Sequence, residues 1–129
     1  MNNESFFKDM DAIIKYTCQE AEADGILFDV TNVNPNWKKG IFNYVTTNLL
    51  KEGYFNKEYT ADKKESINIP NLLDLLNQSL QIVRKKTENF TKPDSFFDGF
   101  IELPNGDKQM IFIQANETGK FTIMLPEDY

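Results

Sequence analysis

The sequence contains no histidine and a single cysteine, Cys18, among its 129 residues. Histidine is the usual general base, the partner of Ser and Cys nucleophiles, and the commonest transition-metal ligand. One cysteine permits neither an intrachain disulfide nor a thiolate zinc site within one chain. Cys18 itself is expected to be a buried, inert thiol. The composition therefore predicts a protein without catalytic residues, cofactor or metal, in a reducing, cytoplasmic setting.

Arginine is almost as scarce, since only Arg84 among the 14 basic residues is an arginine. Arginine is the usual residue for bidentate recognition of phosphates and bases, so its scarcity argues against specific nucleic-acid binding. No apolar run approaches the ~20 residues of a membrane span, and no basic segment followed by an apolar core opens the chain. We therefore expect neither a membrane span nor export by a standard signal.

The net charge of −6 is unevenly distributed. Residues 1–29 carry seven acidic and two basic side chains, residues 30–95 carry seven and ten, and residues 96–129 carry six and two. Acidic ends favour a protein partner with a basic surface over naked nucleic acid. The candidate contacts lie on the polar side of the first predicted helix. They are Asp9, Asp11, Glu20 and Glu22.

Two further groups of side chains are candidates for binding. Trp37, Tyr54 and Phe55 lie in predicted loops, where aromatic side chains either anchor interfaces or are buried beneath the loop. A weak phosphate-binding patch is the second possibility, and its alternative is a helix end whose cations match the helix dipole together with a polar loop. That patch would contain Lys38, Lys39, Arg84, Lys85 and Lys86.

The hydrophobic pattern predicts an α+β fold in a single domain, residues 1–129. About three helices are expected to pack on a small antiparallel sheet with a C-terminal three-strand meander. The sequence Pro104-Asn105-Gly106-Asp107 predicts the first turn of that meander. The predicted helices begin at Ser5, Ile41 and Pro70, and the predicted strands cover 26–30, 96–103, 108–115 and 121–125.

Two short motifs frame the chain: Asp-Gly-Ile-Leu-Phe-Asp-Val-Thr at 24–31 and Thr-Ile-Met-Leu-Pro-Glu-Asp at 122–128. Together with the Val-Thr pair at 45–46 and the leucine-rich helix at 72–83, they resemble a family of small bacterial proteins of unknown function carried by plasmids, phages and related mobile elements. Tryptophans expected in the middle of that family's pattern are absent, and Trp37 sits elsewhere. The family has no assigned catalytic residues, so the resemblance implies none here.

This setting, the small size and the acidity also resemble anti-CRISPR proteins, which bind an effector nuclease and block guide-RNA loading or target access. The resemblance implies a non-enzymatic inhibitor of a host RNA-guided effector nuclease. An accessory protein of plasmid or phage transfer or replication is the alternative. A metal-dependent enzyme is a third reading, in which carboxylates at the strand ends hold Mg²⁺ or Ca²⁺. Those carboxylates are Asp24, Asp29, Glu127 and Asp128.

Overall fold

The computed structural model describes residues 17–56, 67–87 and 95–129, which form an α+β fold with a five-stranded sheet and three α-helices. The strands are β1 (Leu27–Asp29), β2 (Phe42–Thr46), β3 (Phe96–Glu102), β4 (Lys108–Ala115) and β5 (Phe121–Met124). The helices are α1 (Cys18–Ala23), α2 (Thr47–Leu50) and α3 (Ile69–Thr87). Short 3-10 segments cover Val30–Asn32, Pro35–Lys39 and Pro126–Asp128.

The α+β prediction is confirmed, whereas the prediction of a small antiparallel sheet is wrong. The strand order is β1-β2-β5-β4-β3, and β2 pairs with β5 in parallel. The error arose at residues 41–50, where apolar residues at helical spacing predicted one helix. The Phe-Asn-Tyr-Val-Thr run instead forms β2, as its aromatic and β-branched residues favour. The Thr46 hydroxyl then accepts a hydrogen bond from the Leu49 N–H, so α2 starts only at Thr47.

The three C-terminal strands follow one another as an antiparallel meander, as predicted, although they belong to the larger mixed sheet. Glu102 pairs with Lys108, and the Leu103 N–H donates to the Asp107 carbonyl at 2.8 Å. Gly106 adopts φ +93°, which the turn requires and which a side chain would disfavour.

The two faces of the sheet are covered by different helices. Alternate residues of a strand face opposite sides, so Phe97, Gly99 and Ile101 of β3 share the face on which α3 lies. A Cβ placed on Gly99 would approach the Ile82 Cδ1 atom of α3 to 2.8 Å, which shows how closely helix and strand meet. We call this side the α3 face. The core on it is largely aliphatic, with Phe97 among its aromatic members, and includes Val45, Leu72, Leu75, Ile101, Ile111, Ile113 and Ile123.

The opposite side, called here the α1 face, carries the short helix α1. Cys18 and Ala21 are its buried residues, and the Cys18 Sγ lies 3.9 Å from the Thr122 Oγ1 of β5. The N-terminal part of the predicted first helix, from Ser5 to Tyr16, lies outside the described residues. The prediction of one continuous helix up to Gly25 is wrong at Thr17, whose extended backbone is the N-cap of α1, so α1 is a separate helix of six residues.

One of the two edge strands of the sheet, β3, is contacted by side chains of α3. The Glu102 N–H donates to the Gln78 Oε1 at 2.8 Å, and the Gln78 Nε2 donates to the Glu102 carbonyl at 3.0 Å. Lys86 forms an ion pair with Asp98 at 2.8 Å. An unprotected edge strand is a template for pairing with another chain, so these contacts favour other surfaces as binding sites.

Candidate partner-binding surfaces

Four carboxylates gather on the α1 side of the molecule: Glu20 and Glu22 from α1, Asp29 from the end of β1, and Glu117 from the β4–β5 turn. We call them the acidic surface. The pKa of the buried Tyr44 reports the proximity of three of them, Glu22, Asp29 and Glu117. Burial, followed by the charges of Glu22, Asp29, Cys18 and Glu117, raises that pKa to about 12. Within the described residues none of the four carboxylates forms an ion pair, so no cation of that part of the chain neutralises their negative charge in a salt bridge.

The start of α1 fixes the position of this surface. The Thr17 hydroxyl accepts from the Glu20 N–H at 3.1 Å, and the Glu20 carboxylate reaches back to Thr17, which forms a capping box. The Glu117 carboxylate accepts from the Cys18 N–H at 2.8 Å. Burial alone would raise the pKa of Glu117, but hydrogen bonds from the backbone N–H groups of Cys18 and Glu117 itself lower it overall. Glu117 therefore remains ionised and ties α1 to the turn.

The turn that carries Glu117 is itself held by amide and hydroxyl side chains. The Asn116 Nδ2 donates to the Asn43 Oδ1 at 2.9 Å and to the Thr122 Oγ1 at 3.0 Å. The Thr118 N–H donates to the Asn116 Oδ1 at 3.0 Å, and the Asn43 Nδ2 donates to the Thr118 Oγ1 at 2.9 Å. This network joins the β4–β5 turn to β2, so the acidic surface is built on a braced part of the sheet.

A cavity of about 720 Å³ lies between α1 and the sheet. Its lining combines the buried Cys18 with polar side chains such as Thr46, Gln114 and Asn116. Burial, the hydrogen bond with Glu117 and the charge of Glu117 raise the pKa of Cys18 to about 11. The thiol is therefore protonated at neutral pH and is a poor nucleophile, in agreement with its expected inert character.

A second concavity, of about 390 Å³, lies on the α3 side, and we call it the Trp37 groove. One wall is the 3-10 segment Pro35–Lys39 with the start of β2, and the other is the outward side of α3. The Asn34 side chain caps the segment by accepting from the Asn36 N–H at 3.0 Å. The lining comprises Asn36, Trp37, Gly40, Ile41, Phe42, Leu73, Leu76, Asn77, Leu80 and Arg84.

The structure distributes the predicted partner contacts over both sides of the sheet. Glu20 is exposed and Glu22 half-buried on α1, whereas Trp37 is half-buried in the groove on the other side. Asp9 and Asp11 lie outside the described residues. Phe55 is half-buried against the core.

Tyr54, which was predicted as a partner contact, does not lie at the surface. Its side chain is 1% exposed, so it is a core residue and not a surface anchor. The backbone causes this burial, because the Tyr54 N–H donates to the Leu50 carbonyl and the Tyr54 carbonyl accepts from the Asn68 N–H, both within 3.0 Å. These bonds turn the chain inward after α2 and carry the ring with it.

The residues of the predicted basic patch lie at two different places. Arg84 lines the Trp37 groove, whereas Lys38 and Lys39 follow Trp37 in the 3-10 segment of the opposite wall and are not among the lining residues. Lys86 instead reaches Asp98 at the sheet edge. Sequence reasoning missed the groove because it assigned one core-facing stripe to α3. The signal was a second apolar stripe on the same helix, formed by Ile69, Leu73, Leu76 and Leu80.

The carboxylates proposed as a metal site are not brought together. Within the described part of the chain, no three side chains of the His, Cys, Asp and Glu types are grouped so that they would hold a metal ion. The topology explains this result, because β2 lies between β1 and β5, and Asp29 sits at the end of β1 remote from Asp24. Asp128 is engaged by the Asn48 amide at 2.8 Å. Among the described helices, none has the length and apolar character to cross a membrane.

Comparison of the chain with protein-family models, with curated proteins and with solved structures returned no match.

Proposed function

We propose that this is a non-enzymatic binding protein whose acidic surface docks on a basic surface of a protein partner. The observation that carries the proposal is the group of Glu20, Glu22, Asp29 and Glu117, which share one side of the sheet and form no ion pair within the described residues. Complementary charge accelerates association and selects partners, while it contributes less to affinity itself.

The side chains beneath α1 favour docking on a protein over catalysis. The thiol in the cavity beneath α1 is protonated at neutral pH, since its pKa is about 11. The carboxylate that acts on this thiol, Glu117, accepts a hydrogen bond from the Cys18 backbone N–H and so has a structural role in holding α1. These features support docking on a partner over chemistry on a substrate.

The partner that we propose is an RNA-guided effector nuclease, with guide-RNA loading or target access as the step blocked. Such a nuclease binds its nucleic acid in a positively charged channel, and an acidic protein surface is complementary to that channel. A net charge of −6 over 129 residues is modest, so specific docking is favoured over general mimicry of nucleic acid. The mobile-element resemblance of the sequence supports the same choice.

The test joins capture with activity. The protein is immobilised and exposed to lysate of its native host, captured proteins are identified by mass spectrometry, and any captured nuclease is assayed for guided cleavage with increasing amounts of the protein. We expect capture of an RNA-guided effector and dose-dependent loss of its cleavage. Recovery of transfer or replication proteins in its place would support the accessory-protein alternative and contradict the inhibitor.

A matched pair of variants assigns the effect to the acidic surface. Glu20→Lys with Glu22→Lys reverses two charges on α1, and Glu102→Lys with Asp107→Lys reverses two charges beside the β3–β4 turn, away from α1, so both variants change the net charge equally. Inhibition is expected to weaken with the first pair and to persist with the second. Equal loss with both pairs would indicate a general charge effect and contradict docking at α1.

A further inference from the structure

The Trp37 groove is independent of the acidic surface, because it lies against α3 on the opposite side of the sheet. Its floor and walls are largely apolar: Phe42 is buried, Trp37, Ile41, Leu76 and Leu80 are half-buried, and Leu73 is 42% exposed. Ile69, one turn before Leu73, is 49% exposed. Apolar side chains aligned along a helix and faced by an indole form a continuous surface that water solvates poorly.

The rim of the groove has the opposite charge to the protein as a whole. Arg84 lines one end, and Lys38 and Lys39 are exposed beside Trp37 on the other wall. No carboxylate belongs to the lining. Asp74 is directed elsewhere, since its carboxylate accepts from the Gln78 Nε2 on the β3 side of α3. An acidic protein therefore contains one apolar groove bordered by cations.

The chemistry of this lining distinguishes between classes of occupant. Single-stranded nucleic acid is bound by several stacked aromatic rings and a track of cations. The lining of the groove offers only the indole of Trp37 as an accessible ring, because Phe42 is buried, together with one guanidinium. Aliphatic side chains from Leu73, Leu76 and Leu80 instead match the apolar stripe of a helix or short peptide. The arginine and lysines at the rim match carboxylates placed beside that stripe.

We propose that the Trp37 groove binds a protein segment that presents aliphatic side chains flanked by Asp or Glu. Trp37 and Leu73 contact the aliphatic side chains, and Arg84 pairs with a carboxylate. With the acidic surface on the other side of the sheet, the protein has two docking sites of opposite charge and is able to contact two segments at once.

The test uses a defined probe, a fluorescein-labelled helical peptide of about 15 residues with leucines along one face and glutamates beside them. Its matched control carries lysines in place of the glutamates. Fluorescence anisotropy with the full-length protein measures both. We expect saturable binding of the glutamate peptide and at least about tenfold weaker binding of the lysine peptide.

Three variants assign the binding to the groove. Leu73→Glu, at an exposed position that the core does not require, is expected to weaken the glutamate peptide about tenfold, and Trp37→Ala about 30-fold. Arg84→Glu is expected to exchange the preference, weakening the glutamate peptide and strengthening the lysine peptide. The control, Lys108→Glu, reverses an exposed cation on β4 outside the groove and is expected to change binding by no more than about twofold. Circular dichroism confirms that each variant is folded.

Several outcomes would overturn the proposal. They are equal binding of both peptides, absence of binding by either, unchanged binding in folded Leu73→Glu and Arg84→Glu, and tighter binding of an oligothymidine that Trp37→Ala abolishes. The last result would assign the groove to nucleic acid. None of these results depends on the acidic surface, so failure here leaves the test with the α1 variants informative.

Discussion

Replacement of Gly99 by alanine tests the contact that positions α3, and therefore one wall of the Trp37 groove. A Cβ at Gly99 would lie 2.8 Å from Ile82 Cδ1, 3.0 Å from Cγ1 and 3.1 Å from Cγ2. All three distances are below normal contact, so Ile82 or the helix has to shift. Such overpacking costs about 2 kcal/mol, while replacing a strand glycine returns roughly 0.7 kcal/mol through the unfolded state. The expected net loss in the free energy of unfolding is therefore about 1.3 kcal/mol.

Urea unfolding followed by circular dichroism measures this loss, and the Ile82→Ala background supplies the decisive comparison. Ile82→Ala removes all three atoms that a Cβ at Gly99 would meet. In that background Gly99→Ala is expected to stabilise the protein by roughly 0.5–1 kcal/mol, so the effect changes sign. Gly40→Ala is the control, since its added Cβ would meet only the Trp37 carbonyl at 3.4 Å and its φ is −80°. A similar cost of Gly99→Ala in both backgrounds would refute the close helix–strand contact.

Three further predictions concern buried or hydrogen-bonded groups. Among the described residues the Tyr54 hydroxyl has no hydrogen-bond partner, and the residue is 1% exposed. Tyr54→Phe should therefore raise the free energy of unfolding by about 1 kcal/mol, and a loss of stability would contradict this reading. With a pKa of about 11, Cys18 should react with iodoacetamide at pH 8 at least about 100-fold more slowly in the native protein than in urea; comparable rates would contradict its burial. The pKa of Glu117 is lowered from 4.5, so the ionised side chain stabilises the protein above that pH, and this stabilisation is lost as the pH falls. The difference in the free energy of unfolding between wild type and Glu117→Gln should therefore shrink in acid. A difference that grows in acid would contradict this prediction.

Helices and strands could be predicted from the sequence where the local residue pattern and the tertiary structure favour the same element. The Asn105-Gly106 turn, the alternating strand that follows it and the long amphipathic helix after Pro70 each have a strong local signal, and β4 and α3 appear where those signals place them. Sequence reasoning failed at 41–50, because a strand directly followed by a one-turn helix imitates the apolar spacing of a single helix. The parallel pairing of β2 with β5 is a non-local contact, and no short pattern encodes it.

The candidate surfaces were predictable to a smaller extent. The charges of Glu20 and Glu22 follow from the sequence, but their association with Glu117 depends on the β4–β5 turn reaching the start of α1. Trp37 was identifiable as a candidate, whereas its facing wall on α3 required the tertiary structure. Tyr54 was predicted as a surface residue and is buried, because the sequence of an irregular segment does not indicate whether an aromatic side chain faces solvent or the core.

The most direct measurement of the central claim is the association rate with the captured partner at low and at moderate salt. If the acidic surface guides docking, Glu20→Lys with Glu22→Lys will slow association markedly at low salt, and the difference from wild type will shrink as salt screens the charges. Lys38→Glu with Lys39→Glu, on the opposite side of the sheet, will leave the rate unchanged or increase it. Slower association in the lysine variant, with the α1 variant unaffected at both salt concentrations, would contradict the account.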